Sequence, residues 1–420
     1  MVALLAALLV LGMLHSRDAR AQDDVPAAPS PTAPAGYPGQ SNLVPEGFPT
    51  PTTAFERLAP GGPPRDPGPL TWAQPGPYIA PAWTDFALNS FAADQRLATT
   101  YYFYWHDLTD PDRRARFAGR FHTPPDAERY SFLAPETHLR QFQDMRAASL
   151  DFVLPVYWGE PGHPGRTTGP TTPHYWSTEG IPAMVEALDQ LRAAGGGPLQ
   201  IGLFYDTTIL ANADLTTPAG KEHFYVNVRD FYSRIPPRYW AAIGGKPVVW
   251  LYDTAWVSAF DQSSIDALSE RFAEDFGGLR LFEVRESQWQ TSKNAATPGP
   301  VHSDGLYAWG AAAFGFNTAP ELTVAEVGPG FKNTQYCTGG PDRNCFDVDR
   351  ENGARYQRQL QQAVDSRRQL LAVETWNEFS EGTDIAATVE TGRQYIDLTR
   401  AYVDRFKGGA AAATSAPRGP

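Results

Sequence analysis

Between residues 97 and 377 the chain alternates short runs dense in β-branched and aromatic residues with stretches whose apolar residues recur every three or four positions. The first kind suits buried strands and the second suits amphipathic helices packed against them. Eight strands are predicted, over 97–106, 150–158, 199–206, 246–253, 279–284, 304–310, 322–327 and 370–377. Helical spacing is clear at Leu139, Phe142 and Met145, at Ile181, Met184, Leu188 and Leu191, and at Ile265, Leu268, Phe272 and Phe276. The last of these is predicted to open at Ser263, with Asp266 three residues on, and to stop at Gly277-Gly278. Strands alternating with helices predict an α/β protein, a (β/α)8 or TIM barrel in one domain. No internal repeat is visible, which argues against a solenoid or propeller.

The ends of the chain read differently. Residues 1–21 pair a short apolar run, Met1 to Leu14, with Ala19-Arg-Ala21, as in a signal peptide and its cleavage site, so a secreted, periplasmic or cell-surface protein is expected. The run falls short of the ~20 residues of a comfortable span, and its missing basic start leaves an uncleaved anchor open; no other segment is long and apolar enough. Residues 22–70 are rich in Pro, Ala and Gly and predict a linker, and 408–420 predict a disordered tail, leaving 71–407 as the folded domain.

Charge and cysteine content narrow the chemistry. A net charge of -12 argues against a nucleic-acid partner, because a polyanion needs excess Lys and Arg. Neutral, hydroxyl-rich ligands gripped by aromatic faces and acids fit better with 11 Trp, 18 Tyr and 23 Phe. The 8 His form no metal-binding spacing and there is no Gly-rich phosphate loop, so no cofactor or metal is expected. A monomer is expected. The two cysteines, Cys337 and Cys345, sit in a Gly/Pro/Asn-rich stretch and are expected to form one local disulfide. Asp347-x-Asp349-x-Glu351 lacks the glycine of a calcium loop, and Asp349 is placed to cap a helix beginning near Glu351.

Polar and aromatic side chains crowd the C-terminal ends of the predicted strands: Tyr104 and His106, Trp158, Tyr205-Asp206, Tyr252-Asp253, Glu283, Trp309, and Trp376-Asn377. In a barrel of this kind those ends converge on one face, where ligands bind. Aromatic platforms beside acids predict a sugar cleft. The eighth strand runs into Glu374-Thr-Trp-Asn-Glu-Phe-Ser-Glu-Gly-Thr383. If the chain turns helically after Glu378, Glu378 and Glu381 stand at i and i+3 with Cβ atoms about 5–6 Å apart. Carboxylates that close suit retaining glycoside hydrolysis, whose pair sits about 5–5.5 Å apart. Strand alternation places Glu374 on the same face as Trp376 and Glu378, and it is read as a buried, Arg-paired structural acid.

These residues also carry a resemblance. Asn377-Glu-Phe-Ser-Glu-Gly-Thr-Asp-Ile385 resembles the Asn-Glu-Trp-His-Glu-Gly-Thr signature of glycoside hydrolase family 99, the endo-α-mannosidase and endo-α-mannanase family, which is structurally close to the family 71 α-1,3-glucanases. Gly245-Lys-Pro-Val-Val-Trp-Leu-Tyr-Asp253, Asp304-Gly-Leu-Tyr307, Val327-Gly-Pro-Gly-Phe331 and Arg350-Glu-Asn-Gly-Ala-Arg-Tyr356 agree in order, so the similarity spans residues 97 to 405. The chain also resembles an uncharacterised bacterial family, domain of unknown function 5010. The resemblance implies a glycoside-hydrolase-like barrel and a retaining, endo-acting enzyme cleaving an α-linked polysaccharide. It further implies that Glu378 deprotonates the sugar's own 2-hydroxyl, which attacks the anomeric carbon to give a 1,2-anhydro sugar. Glu381 then matches the acid/base and Tyr252 a tyrosine lining the subsite of the cleaved sugar. Phe379-Ser380 replaces Trp-His, and Tyr205-Asp206 stands in place of a Glu-Pro-Tyr run, so the sugar itself is left open. A non-catalytic polysaccharide-binding protein on the same fold is the competing reading. A mass spectrum of the non-reduced protein should show Cys337 joined to Cys345; two free thiols would contradict the pairing.

Overall fold

In a computed structural model, the structure describes residues 70, 73–79, 88–110, 121–159, 175–195, 197, 199–210, 213–254, 257–287, 289, 301–332 and 346–414. Cys337 and Cys345 lie outside them. Each predicted run contains a strand or, at 279–284, overlaps one: β1 Leu97–Tyr102, β2 Phe152–Tyr157, β3 Leu203–Tyr205, β4 Lys246–Leu251, β5 Phe282–Glu286, β6 Gly305–Tyr307, β7 Val324–Val327 and β8 Leu370–Val373. The helices named below are α1 Pro135–Ala147, α2 Tyr175–Ala193, α3 Pro218–Arg234, α4 Gln262–Asp275, α5 Ala311–Phe314, α6 Ala354–Asp365 and α7 Gln394–Thr414.

Strands adjacent in sequence are adjacent in space. β1 to β6 pair in order, all parallel, through Tyr101↔Leu154, Val156↔Phe204, Phe204↔Trp250, Trp250↔Val284 and Glu286↔Tyr307. β7 pairs with β8, and β8 pairs back onto β1 at Val373↔Thr100. The remaining junction is bridged just before β7, where the Thr323 N–H donates to the Leu306 carbonyl of β6 at 3.0 Å. A parallel sheet covered on its outer face by helices buries both sides, which is why LATTYY and FVLPVY are inaccessible along their whole length.

Register decides which side chains share the interior. Tyr101, Phe204, Trp250 and Tyr307 meet there, with ring centroids 4.8 Å apart for Tyr101 and Phe204 and 5.6 Å apart for Trp250 and Tyr307. Aromatic rings thus fill the centre beneath the C-terminal strand ends, each pair in the tilted or edge contacts that ring quadrupoles favour.

Helix starts differ in detail from the sequence pattern. α4 is capped by Asp261 and not by Ser263: Asp261 and Ser264 form a reciprocal capping box, and Ser263 donates to the Asp261 carboxylate. Asp349 accepts from the Glu351 N–H, but the cap position of the turn Glu351–Gly353 is Arg350 and that of α6 is Gly353, neither with a side-chain cap, so the expected Asp349 cap is only a local loop bond.

Residues 73–79 belong to the folded unit. The Tyr78 N–H donates to the Ser233 carbonyl at 2.9 Å, the Gly76 N–H to Ser233 Oγ at 2.6 Å, and Arg229 to the Ala73 carbonyl at 2.5 Å. A side chain at Gly76 would collide with the Ser233 backbone, so this strap lies flat on α3. Deleting residues 1–69 should therefore leave one cooperative urea transition, whereas a deletion through 79 should lower its midpoint; loss of cooperativity in the shorter deletion would place the boundary elsewhere.

Candidate active site

Beyond β8 the chain leaves the sheet and closes a compact loop over the C-terminal strand ends. Thr375 N donates to the Thr383 carbonyl at 2.9 Å, Ile385 N to Trp376 O at 3.0 Å, and Trp376 N to the Tyr101 carbonyl of β1 at 2.9 Å. Asn377 then ties the last strand to the first. Its Oδ1 accepts from Phe103 N at 2.8 Å, and its Nδ2 donates to Phe103 O at 2.8 Å and to the Tyr130 hydroxyl at 3.1 Å. From the outer side Arg350 donates to the Gly382 and Asp384 carbonyls and pairs with the Asp384 carboxylate at 3.2 Å, which His122 also meets at 2.7 Å.

This frame presents Glu378 and Glu381. They are joined by a hydrogen-bonded turn and not a helix, Glu381 N donating to the Glu378 carbonyl at 3.3 Å, so the expected i, i+3 proximity arises from a turn that Gly382 ends at φ +57°. The two side chains are only 1% and 5% exposed. Glu378 Oε1 accepts from Ser380 N at 3.0 Å, but Glu378 Oε2 and Glu381 Oε1 have no partner among the described residues. Burial drives both carboxyls above the ordinary range, and at Glu381 the charges of Glu378 and Glu374 add to burial. Ser380 hydrogen bonds offset part of the rise at Glu378. The pair as a whole therefore holds its protons more tightly than free carboxyls do.

Opposite them stand further residues expected from the sequence. Tyr252 is buried at the end of β4, and the charges that act on its hydroxyl are those of Asp253, Asp206, Glu286 and Glu381. Asp206 accepts from the Thr208 N–H at 3.1 Å and hydroxyl at 2.6 Å; burial still pushes it up to about 7, against the help of Thr208 and the Trp158 indole. Trp158 is stacked on Trp105 at 5.0 Å and 9°. Trp309 is half-buried and touches Tyr252 at 5.4 Å and Tyr101 at 4.9 Å. His106 contacts the loop itself, through the Asn377 carbonyl at 3.0 Å and the Phe379 ring at 5.2 Å.

Other expected site residues are directed elsewhere. Tyr205 stacks on Phe224 at 5.6 Å and accepts from Asn227, both on α3. Tyr104 packs toward α1 and α2, against His138 and Gly180. Glu283 accepts from Ser269 on α4 at 2.8 Å, and the Trp376 indole donates to Gln141 on α1 at 2.5 Å. Tyr104, Tyr205 and Glu283 reach outward because their position in the strand alternation faces the helices; Trp376 shares the parity of the inward Glu374 but lies past the end of β8, where alternation no longer sets direction, and Asn377 is fully engaged in its clamp. Glu374 is a buried acid as expected but is not Arg-paired: it accepts from the Gly310 N–H at 2.8 Å and the Ala312 N–H at 3.1 Å. Trp105 lies within the Tyr104-Trp-His-Asp107 run that the sequence marks as an aromatic and polar strand end, whereas Glu286 went unread. Glu286 ends β5 two residues past the predicted limit, and counting by twos inward from Val284 reaches it.

Among the described residues no group of His, Cys, Asp and Glu is arranged to hold a metal ion, and no helix is long and apolar enough to cross a membrane. An open depression of about 450 Å³, lined by Arg146, Asp151, Gln200 and Lys407, lies at the opposite, N-terminal ends of β2 and β3.

The fold and site define an α/β protein with a cluster of buried acids at the C-terminal edge of a parallel sheet, and solved glycoside hydrolases share this fold. The GH99 endo-α-mannosidase from Bacteroides thetaiotaomicron superposes with a TM-score of 0.53 at 16% identity over 75% of this chain and 98% of that one. The same enzyme in complex with BIS-TRIS-propane gives 0.51 at 17% identity, over 75% and 98%. A glycoside hydrolase-like protein gives 0.53 at 13% identity, over 75% and 96%. No curated protein matches. Residues 128–415 match the family described as domain of unknown function (DUF5010), and the chain belongs to that family.

Glu283, buried against α4 near the start of β5, makes a measurable case of burial. Desolvation pushes it up to about 8 from 4.5, so the folded state holds its proton more tightly than the unfolded chain. Its stabilising contribution is complete below the unfolded value and is lost as pH rises toward 8. Stability to urea should fall between about pH 5 and 8, and Glu283→Gln, which can still accept from Ser269, should flatten part of that fall. Parallel pH profiles for parent and variant would contradict the assignment.

Proposed function

We propose that this protein is a glycoside hydrolase on a (β/α)8 barrel, exported by residues 1–21, that cleaves an α-linked polysaccharide with retention of configuration. The observation that supports it most is the pair Glu378 and Glu381: adjacent on one turn, buried, and each with an oxygen that has no partner among the described residues. Retention by neighbouring-group attack needs a base that can ionise and an acid that holds its proton while both stay near the same sugar. Glu378 is the base on the 2-hydroxyl. Its proton leaves as that oxygen closes on the anomeric carbon, while Glu381 gives a proton to the departing glycosidic oxygen. Glu381, now ionised, next takes a proton from water, which opens the 1,2-anhydro ring at the anomeric carbon, and Glu378 returns the proton to the 2-oxygen.

Tyr252 and Asp206 line the same subsite in this reading, and Trp105, Trp158 and Trp309 supply apolar faces for sugar rings. The shared fold of the endo-α-mannosidase makes α-mannans the first substrates to test, followed by α-glucans and other wall polysaccharides.

On a polysaccharide that the parent cleaves, Glu378→Gln and Glu381→Gln should each lower turnover by about 10²-fold or more. A substrate with an excellent leaving group should partly rescue Glu381→Gln but not Glu378→Gln, and a 2-deoxy substrate should resist the parent. Because burial raises both carboxyls, the alkaline loss of activity, where Glu381 gives up its proton, should lie above the ordinary carboxylate range. Full activity in both variants would refute the site; polysaccharides bound but none cleaved would favour the non-catalytic binder.

A further inference from the structure

Two residues with no part in the proton transfers above are fastened to the loop that carries Glu378 and Glu381. The Lys332 N–H donates to the Glu381 carbonyl at 2.8 Å, and the Phe121 N–H donates to the Phe379 carbonyl at 2.8 Å. The backbone of Lys332 is held from a second side as well, since Phe331–Lys332 pairs antiparallel with Asp347–Val348. Their side chains then meet, the Lys332 ammonium lying over the Phe121 ring at 5.0 Å from its centre.

Between the two stands Gly382, the residue after Glu381. A side-chain carbon there would lie 3.6 Å from Lys332 Cγ and 3.6 Å from Phe121 Cδ2, in ordinary van der Waals contact with both. Gly382 turns the chain at φ +57°, a conformation that favours glycine, and the missing side chain leaves a notch walled by an aliphatic stem and a ring. Both walls are half-buried. Arg350 and His122 at this loop are engaged with Asp384, whereas Lys332 has no ion pair among the described residues.

The strand order says which part of a substrate the notch meets. Phe121 follows β1 and Lys332 follows β7, the two neighbours of β8. Asp206 and Tyr252, which line the subsite of the cleaved sugar in the reading above, stand at the ends of β3 and β4, and β1 and β2 separate these strands from β8. Glu381 gives its proton to the departing oxygen, so the sugar borne by that oxygen leaves on the Glu381 side. Such a ring has an apolar C–H face, which suits an aromatic wall, and hydroxyl oxygens, which accept from an ammonium.

We propose that Phe121 and Lys332 form the subsite of the leaving sugar, the ring taking its apolar face and the ammonium donating to its hydroxyl oxygens. This rests on the reading of Glu381 as the acid.

The test is steady-state kinetics of the full chain on two substrates. One is an oligosaccharide of the cleaved polysaccharide with sugars on both sides of the scissile bond; the other is the glycosyl fluoride of the same sugar, whose leaving group is a single atom. Phe121→Ala and Lys332→Met should each lower kcat/KM for the oligosaccharide by about 3- to 10-fold, chiefly through KM, and leave the constants for the fluoride unchanged. Lys332→Met keeps the stem over Gly382 and removes only the ammonium, and Phe121→Tyr, which keeps the ring, should match the parent. An unmoved kcat/KM for the oligosaccharide overturns the proposal. An equal loss on the fluoride also overturns it, because the two residues would then merely steady the loop. Should Phe121→Ala fail to fold, Lys332→Met decides alone. If the parent cleaves no glycan, the reading of Glu381 falls, and calorimetric titration with the oligosaccharide decides the notch: weaker binding by both variants sustains it as a sugar site, and equal binding, or none by the parent, overturns it.

Discussion

A carboxylate removed from water must find a cation, a set of N–H donors, or a proton. The C-terminal edge of this sheet uses all three within one loop. Asp384 takes the cationic solution, between Arg350 and His122. Glu374 takes the donor solution in part, at Gly310 and Ala312, which offset some of the rise that burial causes, to about 7. Among the described residues Glu378 and Glu381 are left with unpartnered oxygens, and burial raises both carboxyls, so they take the proton. The loop can hold them so because its other polar groups are satisfied: Asn377, Thr375 and the loop backbone bond to β1 and to one another.

That arrangement depends in turn on the last strand meeting the first. Asn377 bridges to Phe103 with both ends of its amide, and the Trp376 N–H continues the β8 to β1 ladder. Beneath, Tyr101, Phe204, Trp250 and Tyr307 fill the interior. A packed aromatic floor resists collapse of the loop into the sheet and keeps water from the underside of the acids. Sequence, register and proton affinity are thus linked: moving β8 by one residue would exchange the inward Glu374 for the outward side of the strand.

Much of this was legible beforehand. All eight strands were, because each is a short apolar run between turn residues, a signal set by the chain itself. The strand ends were less so. Tyr104-Trp-His and Trp376-Asn keep strand-like composition after pairing has stopped, and only the neighbouring backbone ends a ladder. Side-chain direction was misread where residue type outweighed parity: Tyr205 and Glu283 are an aromatic and an acid near strand ends, yet Phe204 and Glu286 occupy the inward positions. Glu378 and Glu381 could be found from their spacing because their proximity is local. The partners of Glu374 could not, because backbone N–H groups from a turn far along the chain leave no mark in the sequence.

The departures from the family 99 signature acquire a physical meaning here. Phe379 is buried between His106 at 5.2 Å and Tyr130 at 5.9 Å, so it packs behind the loop and supplies no face to the cleft. Ser380 turns both its N–H and its hydroxyl to Glu378. A serine can do this from the next turn, steadying the ionised form of the proposed base against the cost of burial. Phe379-Ser380 therefore alters how Glu378 is supported. On the proposed reading, selection of the sugar falls to the opposite edge, where Asp206 with Trp158, Tyr252 with Asp253, and Glu286 stand at the ends of β3, β4 and β5. There too the chain departs from the family's Glu-Pro-Tyr run: the buried Asp206 carboxylate is turned onto the Thr208 N–H and hydroxyl, and its charge acts on the Tyr252 hydroxyl.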